Sequence, residues 1–478
     1  MIKHLAKTNY LNSPHLLPRR ALLRQSAAGV GLLGLRALMA AETAPVNLLA
    51  PKTPHFAPKA KRVIFLLMHG GPSSIDTFDP KPRLELDNGK PVPFKRGLTF
   101  GETSVGGLMR PLWPYKRYGQ SGLPVSDLFP NVGTCADDLC IVRSMVGDGV
   151  DHGAAMLQTH TGMFQFKRPS MGSWTLYGLG SENQDLPGFI TIKQGFGGHG
   201  GQNNWSSSFL PSEYQGTPIG NSNMKVEDIE KEPMPFLVSR GLVSEAQRYE
   251  LDMLQKMNRR NAELNDHDPD LEARINAFEL AFRMQVKAPG AFEVEKESEE
   301  TKKLYGLDNE VTRDFGWQCL LARRLSERGV RFVQCSHSYW DQHTEIAKIH
   351  PQLALQVDKP IAGLLKDLKA RGLFKDTLVI WTGEFGRTPW AQNGDGRDHN
   401  PYGYTMWMAG AGVKPGFVYG ATDEFGYHAV ENRMHIHDMH ATVLHLLGLN
   451  HEKLTYRYAG RDFRLTDVAG IVAQGVIA

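Results

Sequence analysis

The sequence is poor in cysteine. Only Cys135, Cys140, Cys319 and Cys335 occur in 478 residues, and no two of them form a CxxC pair. A zinc site built from thiolates is therefore not expected. Cys135 and Cys140 are the only two close in sequence, and spacing alone does not make a disulfide. Four buried or partly buried thiols are the expectation. No stretch after the N-terminal region approaches the roughly 18 consecutive apolar residues of a membrane span, which predicts a soluble mature chain without a stable span. Low-complexity tracts and internal repeats are also missing, and 41% hydrophobic with 22% charged residues suits a packed globular protein. An excess of one charge is missing as well. The formal charge is +3, but residues 1–45 hold Lys3, Lys7, Arg19, Arg20, Arg24 and Arg36 against Glu42 alone, so the remainder is slightly acidic. Such a body offers a polyanion no footprint, and nucleic acid is not an expected partner.

What is present begins with an export signal. Arg19-Arg20-Ala21-Leu22-Leu23-Arg24 is a twin-arginine core, followed by a small-residue apolar stretch from Ser26 to Leu35 and by Ala37 to Ala41. The stretch is too short to span a membrane, and small residues near Ala40–Ala44 suit a cleavage site. The expectation is a twin-arginine signal over residues 1–45, read by the twin-arginine export machinery, with the mature chain in a periplasm or cell envelope. Residues 46–61, rich in Pro, Ala and Lys, read as a linker, and residues 62–478 as a single domain.

Continuous apolar runs of strand length recur at Arg62–Met68, Cys140–Val142, Gly188–Ile192, Val330–Cys335, Thr377–Trp381 and Thr405–Ala409. Runs of this kind suit strands buried on both faces. Helical periodicity covers Ser244–Asn265, Asp270–Gln285, Val311–Arg328, Leu353–Arg371 and His437–Leu449. Strand and helix alternate through the C-terminal half. The pattern predicts an α/β fold of three layers, α/β/α, around a mostly parallel sheet. Ligands of such sheets bind at the carboxyl ends of the strands.

Polar clusters follow these runs. His69, Ser73, Ser74, Asp76 and Asp79 follow the first, while His337, Asp341, His343 and Glu345 follow Val330–Cys335. Gly383-Glu384-Phe385-Gly386-Arg387 follows Thr377–Trp381, and Asp398-His399 comes shortly after. Imidazole and carboxylate at converging strand ends are donors for a divalent metal. Asp151 would cap a helix starting at His152, and its N-terminus with Arg143 would make an anion subsite. The histidines around His435–His440 read as a helix start with Asp438 rather than a metal cluster.

His69-Gly70-Gly71-Pro72-Ser73-Ser74-Ile75-Asp76-Thr77-Phe78-Asp79-Pro80 resembles the first motif of domain-of-unknown-function family 1501, whose members are similar to the alkaline phosphatase/sulfatase superfamily. Gly383–Pro389, Gly396–Pro401, Val418–Asp423 and His435–Arg461 resemble it too, so the likeness covers roughly residues 62–470. The resemblance implies an alkaline-phosphatase-like fold and a metal centre, with His69, Asp341, His343, Glu384, Asp398 and His399 as metal ligands. The pattern departs from the superfamily where one residue, not three, separates Asp341 from His343, and where Glu384-Phe385 replaces an Asp-His pair. No Cys or Ser begins a C/S-x-P-x-R motif, so formylglycine sulfatase chemistry is not implied.

The expected function is an exported metal-dependent hydrolase of phosphate or sulfate esters, or of a related anionic ester. Its cofactor would be a divalent ion (zinc, manganese or calcium) and its substrate a small anionic ester or a polysaccharide. His152 and Arg387 are the expected catalytic groups, Arg143 and Arg387 the expected anion holders. The competing expectation is a non-catalytic binding or scaffolding protein on a degenerate hydrolase fold, and a phosphomutase is a third.

Overall fold

A computed structural model describes residues 47–98, 105–195, 200–233, 244–264 and 289–478. The expected signal (residues 1–45) and the expected helix at Asp270–Gln285 lie outside the described residues. Residues 48–478 form one compact unit. The segment 47–61 is irregular, and it is tied to the body where Lys52 donates to the Tyr177 carbonyl at 2.7 Å and Ala60 N–H donates to Leu446 O at 2.8 Å.

The core is a nine-stranded sheet. Its strands are β1 (Arg62–Met68), β2 (Leu139–Val146), β3 (Phe189–Ile192), β4 (Thr217–Ile219), β5 (Phe332–His337), β6 (Thr377–Thr382), β7 (Tyr404–Ala409), β8 (Phe417–Tyr419) and β9 (Met434–His435). The order across the sheet is β8-β2-β7-β6-β1-β5-β3-β4, with β9 also beside β2. All neighbouring pairs run parallel except those of β7, which is antiparallel to both β6 and β2. The sheet is therefore mostly parallel, as the alternating pattern predicts.

Every residue of β1, β6 and β7 is buried, as their unbroken apolar runs require. Alternate side chains enter opposite layers. Ile64, Leu66 and Met68 join one core with Phe315, Leu320 and Leu325 of α4 (Glu310–Glu327) and Val357, Ile361 and Leu364 of α5 (Ile346–Ala370). Val63, Phe65 and Leu67 join the other with Met156 of α1 (His152–Thr161), Trp174 of α2 (Met171–Leu179) and Met439 and Val443 of α6 (Ile436–Leu446). Helices thus cover both faces, giving the three layers expected. The long polar helix α3 (Ser244–Leu264) also follows its periodicity. The structure extends α5 seven residues ahead of the expected Leu353, with Pro351 and Pro360 both inside it. The four cysteines are buried free thiols. Among the described residues no helix is long and apolar enough to cross a membrane.

One inward-facing ion pair fixes the loops above the sheet. Asp76 and Arg397 are both fully buried; Arg397 Nε donates to Asp76 Oδ2 at 2.8 Å, and its other nitrogens donate to the carbonyls of Thr388, Met109 and Arg110. Ser73 Oγ and Leu112 N–H complete the carboxylate's partners. Removing one member of such a pair strands the other charge. Asp76→Ala is expected to cost about 3–5 kcal/mol, read from urea unfolding, well above an ordinary surface substitution.

Burial also holds two structural imidazoles neutral. His350 accepts the Ser73 N–H at 3.1 Å and His440 pairs with the Thr159 carbonyl at 2.8 Å; burial pushes both down to about 3. Their folded values lie below the ordinary 6.5, so the stability they contribute is complete above that value and lost as pH falls toward about 3. Melting temperature should fall steadily from pH 6.5 to 4, and His440→Asn should reduce that slope.

Candidate metal centre

The carboxyl ends of β1, β5, β6 and β2 and the amino end of β7 share one rim, because β7 alone runs the opposite way. His69 follows β1, Asp341 and His343 follow β5, Glu384 follows β6, His152 opens α1 after β2, and His399 precedes β7. Gly70 lets these loops approach. Its φ is +117°, and an added Cβ would lie 2.6 Å from the Trp340 nitrogen. Only glycine fits there. Its N–H donates to both oxygens of Glu384, at 2.9 and 3.0 Å, while Trp340 N–H donates to His69 O at 3.1 Å. His399 is held by a short antiparallel pair in which Arg387 faces His399 and Gly386 faces Asn400.

One donor atom from each of His152, Asp341, His343 and His399 lies within 4.8 Å of the others. Asp341 is the hub. Its Oδ1 is 2.9 Å from His343 Nε2 and 3.2 Å from His399 Nε2, and its Oδ2 is 3.1 Å from His152 Nε2. The far nitrogens of these rings all meet acceptors. His399 Nδ1 is 2.7 Å from the Val150 carbonyl, His343 Nδ1 meets Gln392 Oε1 at 2.5 Å, and His152 Nδ1 meets Glu384 Oε1 at 2.7 Å. A carbonyl or carboxylate can only accept, so in the neutral rings the hydrogen sits on Nδ1 and the lone pair on Nε2. The Nε2 lone pairs of His343 and His399 then face each other at 3.1 Å, with the carboxylate between them. Two imidazole nitrogens and a carboxylate oxygen this close together are the ligand atoms a divalent cation takes. An outer acceptor behind each imidazole is also the support that metal-bound histidines use. These residues fit a divalent metal.

The electrostatics agree. Burial raises the Asp341 carboxyl's tendency to hold a proton, but the three imidazoles and Arg387 overcome it and hold that group far below the carboxylate range. Burial pushes His399 down to about 4 despite Asp341, so its ring is neutral at pH 7. Burial alone would lower His152 too; hydrogen bonds to Asp341 and Glu384 win and raise it to about 9. For Glu384 burial works upward, and His152 with nearby His69 brings it down to about 2.

Of the six expected metal ligands, Asp341, His343 and His399 meet directly. Glu384 touches the quartet through His152, and with His69 and His152 it forms a second group of donors within 4.8 Å. Asp398 stays on the outer side, its Oδ1 3.9 Å from His343 Nδ1 and bonded to the His399 N–H. His152, expected as a catalytic or anion-binding group, instead turns both ring nitrogens onto carboxylates and joins the donor quartet. Its helix begins where expected, with Asp151 accepting from Ala154 N–H at 3.0 Å. The two arginines expected to hold an anion differ in their surroundings. Arg143 Nε donates to Phe78 O at 2.9 Å and lies 3.5 Å from Asp79 Oδ1, while its buried Nη2 meets no hydrogen-bond partner. Arg387 is fully buried, spending its nitrogens on the carbonyls of Gly70, Gly71, Trp340 and Arg397 and on Asp341 Oδ1 at 2.6 Å. It anchors Asp341 and presents no face to an incoming anion. His435 caps α6 in a reciprocal pair with Asp438, as expected of a helix start. Sequence reasoning missed Gln392 and the Val150 carbonyl; a glutamine and a main-chain oxygen carry no ligand signature. Phe385 stacks on His399, with ring centroids 4.2 Å apart.

The family described as "Protein of unknown function (DUF1501)" matches residues 60–477. Solved structures similar to this chain include the PsFucS1 sulfatase from Pseudoalteromonas sp., with 13% identity and a TM-score of 0.37 over 88% of this chain and 72% of that one. The lipoteichoic acid synthase LtaP from Listeria monocytogenes gives 9% and 0.39 over 91% and 81%. Alkaline phosphatase from the Antarctic bacterium TAB5 gives 11% and 0.33 over 83% and 99%. No curated protein matches by sequence.

The quartet predicts tight binding of a divalent ion. Purified protein should retain or take up zinc or manganese, measured by mass spectrometry of the metal content. His343→Ala and His399→Ala should each lower affinity by at least tenfold, and Gln392→Leu by about 10–100-fold as an outer support.

Proposed function

This chain belongs to the DUF1501 family, and we propose that it is an exported metal-dependent hydrolase of phosphate or sulfate esters, or of a related anionic ester. The observation that carries this reading is the convergence of the His343 and His399 Nε2 atoms on the Asp341 carboxylate. The reaction class comes from the resemblance of the motifs to the alkaline phosphatase/sulfatase superfamily. The twin-arginine core at Arg19-Arg20 supports the export part of this reading, with a periplasm or cell envelope as the proposed location.

A divalent ion bound by this quartet supplies Lewis-acid stabilisation of developing charge and activation of water. Three imidazole nitrogens and one carboxylate oxygen suit zinc or manganese; calcium takes six to eight oxygens, which this set lacks. The chain's own residues do the rest. Glu384 keeps the His152 proton on Nδ1 and so aims Nε2 inward. Arg387 fixes the Asp341 carboxylate through a charge-assisted hydrogen bond. His69 lines the cavity beside the cluster.

One observation favours the alternative of a non-catalytic envelope binding protein: Arg387, expected to grip an anion, gives all three of its nitrogens to protein groups. The two readings separate in one assay. With zinc or manganese added, aryl phosphate and aryl sulfate esters should be turned over, chelation should abolish the activity, and His399→Ala should lose at least about 100-fold in kcat/KM. A metal-loaded protein that turns over none of a broad ester panel would establish the binding reading instead.

A further inference from the structure

A cavity of about 370 Å³ opens beside the cluster, with His69, His152 and Asp341 in one wall. Apolar Leu67 and Met156 share the remaining wall with Gln194, Asn204, Asn223 and Tyr339, and among the described residues no lysine or arginine lines it. Such a mixed wall does not suit a polyanion. It matches a ligand that both donates and accepts many uncharged hydrogen bonds.

Gln194 gives the wall a fixed polarity. The residue is only 3% exposed, and its Oε1 accepts from Gln334 Nε2 at 2.8 Å and from Ser336 Oγ at 2.5 Å. Ser336 is fixed in turn, its N–H donating to Gln318 Oε1 at 3.1 Å. With both lone pairs of the amide oxygen engaged, the NH2 end is what Gln194 presents to the cavity. A buried donor set by neighbours costs no reordering when ligand arrives. The main chain adds to the frame, since Ser222 N–H donates to the Gln194 carbonyl at 3.2 Å. At the edge stands Tyr339, 74% exposed and with φ of +78°, a conformation costly for a non-glycine residue. Its ring offers a flat apolar face beside the polar wall.

We propose that this cavity receives the uncharged, hydroxyl-rich alcohol portion of the substrate, a glycosyl or polyol group, and that Gln194 is its specificity-determining hydrogen-bond donor. The proposal rests on the hydrolase reading only in treating the cluster as the reaction centre; binding in the cavity does not require turnover.

Neutral methyl glycosides of glucose, galactose, mannose and fucose are the probes, with binding read by saturation-transfer NMR on the full-length protein, with metal and with chelator. At least one is expected to bind with a Kd in the millimolar range, about −4 kcal/mol, with or without metal. Gln194→Glu keeps the two accepted hydrogen bonds and deletes the donor; it should weaken binding at least tenfold, with a lowered melting temperature from the buried carboxyl. Asn223→Ala, at an exposed loop position, should weaken the same glycoside about threefold and serves if the first variant does not fold. Absence of binding by all four glycosides, or equal binding to parent and variants, overturns the proposal. Glycoside binding without ester turnover would sink the hydrolase reading alone, and turnover without glycoside binding would sink this subsite alone.

Discussion

Asp341 is the point on which the site depends. Its carboxylate faces three imidazole nitrogens and the Arg387 guanidinium at once. Each ring is backed by an acceptor at Nδ1, so each turns Nε2 toward the carboxylate. The packing of the surrounding layers thus gathers three imidazole nitrogens and a carboxylate oxygen, a set that a divalent ion would take.

The architecture makes this convergence possible through one departure from a purely parallel sheet. Strand β7 runs against its neighbours, so its amino end, not its carboxyl end, reaches the functional rim. His399 therefore enters the cluster from the loop preceding β7, while Asp341 and Glu384 enter from loops following β5 and β6. Gly70 closes the gap at the first loop, since its amide binds Glu384 and its missing Cβ admits the Trp340–Asp341 backbone. Buried Arg397 and Asp76 stiffen the loops outside this layer, which separates the structural charges near the first strand from the functional ones.

The strands were legible because their apolar runs are unbroken: β1 occupies the expected Arg62–Met68, and β6 and β7 differ from expectation by one residue each. The chemistry at strand ends was legible in kind, since His and carboxylate cluster after those runs. Side-chain direction was not. The cap at Asp151 signalled the helix that begins at His152, yet nothing in the sequence says that its imidazole would turn toward Glu384, more than 200 residues away. Arg387 and Arg143 looked like anion holders because a guanidinium at a strand end often is one. Their actual partners are carbonyls and carboxylates set by loop packing, and no local pattern encodes such pairs. The early start of α5 is of the same kind, because tertiary contacts carry that helix through Pro351 where local propensity argues against it.

Under the proposed function the attraction for an anion does not depend on Arg387, whose nitrogens are bound to protein groups. Asp341 and Glu384 against Arg387 leave the cluster with one net negative charge when the imidazoles are neutral. A divalent ion held by His152, Asp341, His343 and His399 would reverse that sign and supply the attraction for an anionic group. Arg387 neutralises part of the Asp341 charge. Among the described residues no lysine or arginine lines the cavity beside the cluster, so under the proposed function charge recognition and recognition of the uncharged remainder would fall to two different walls of one site.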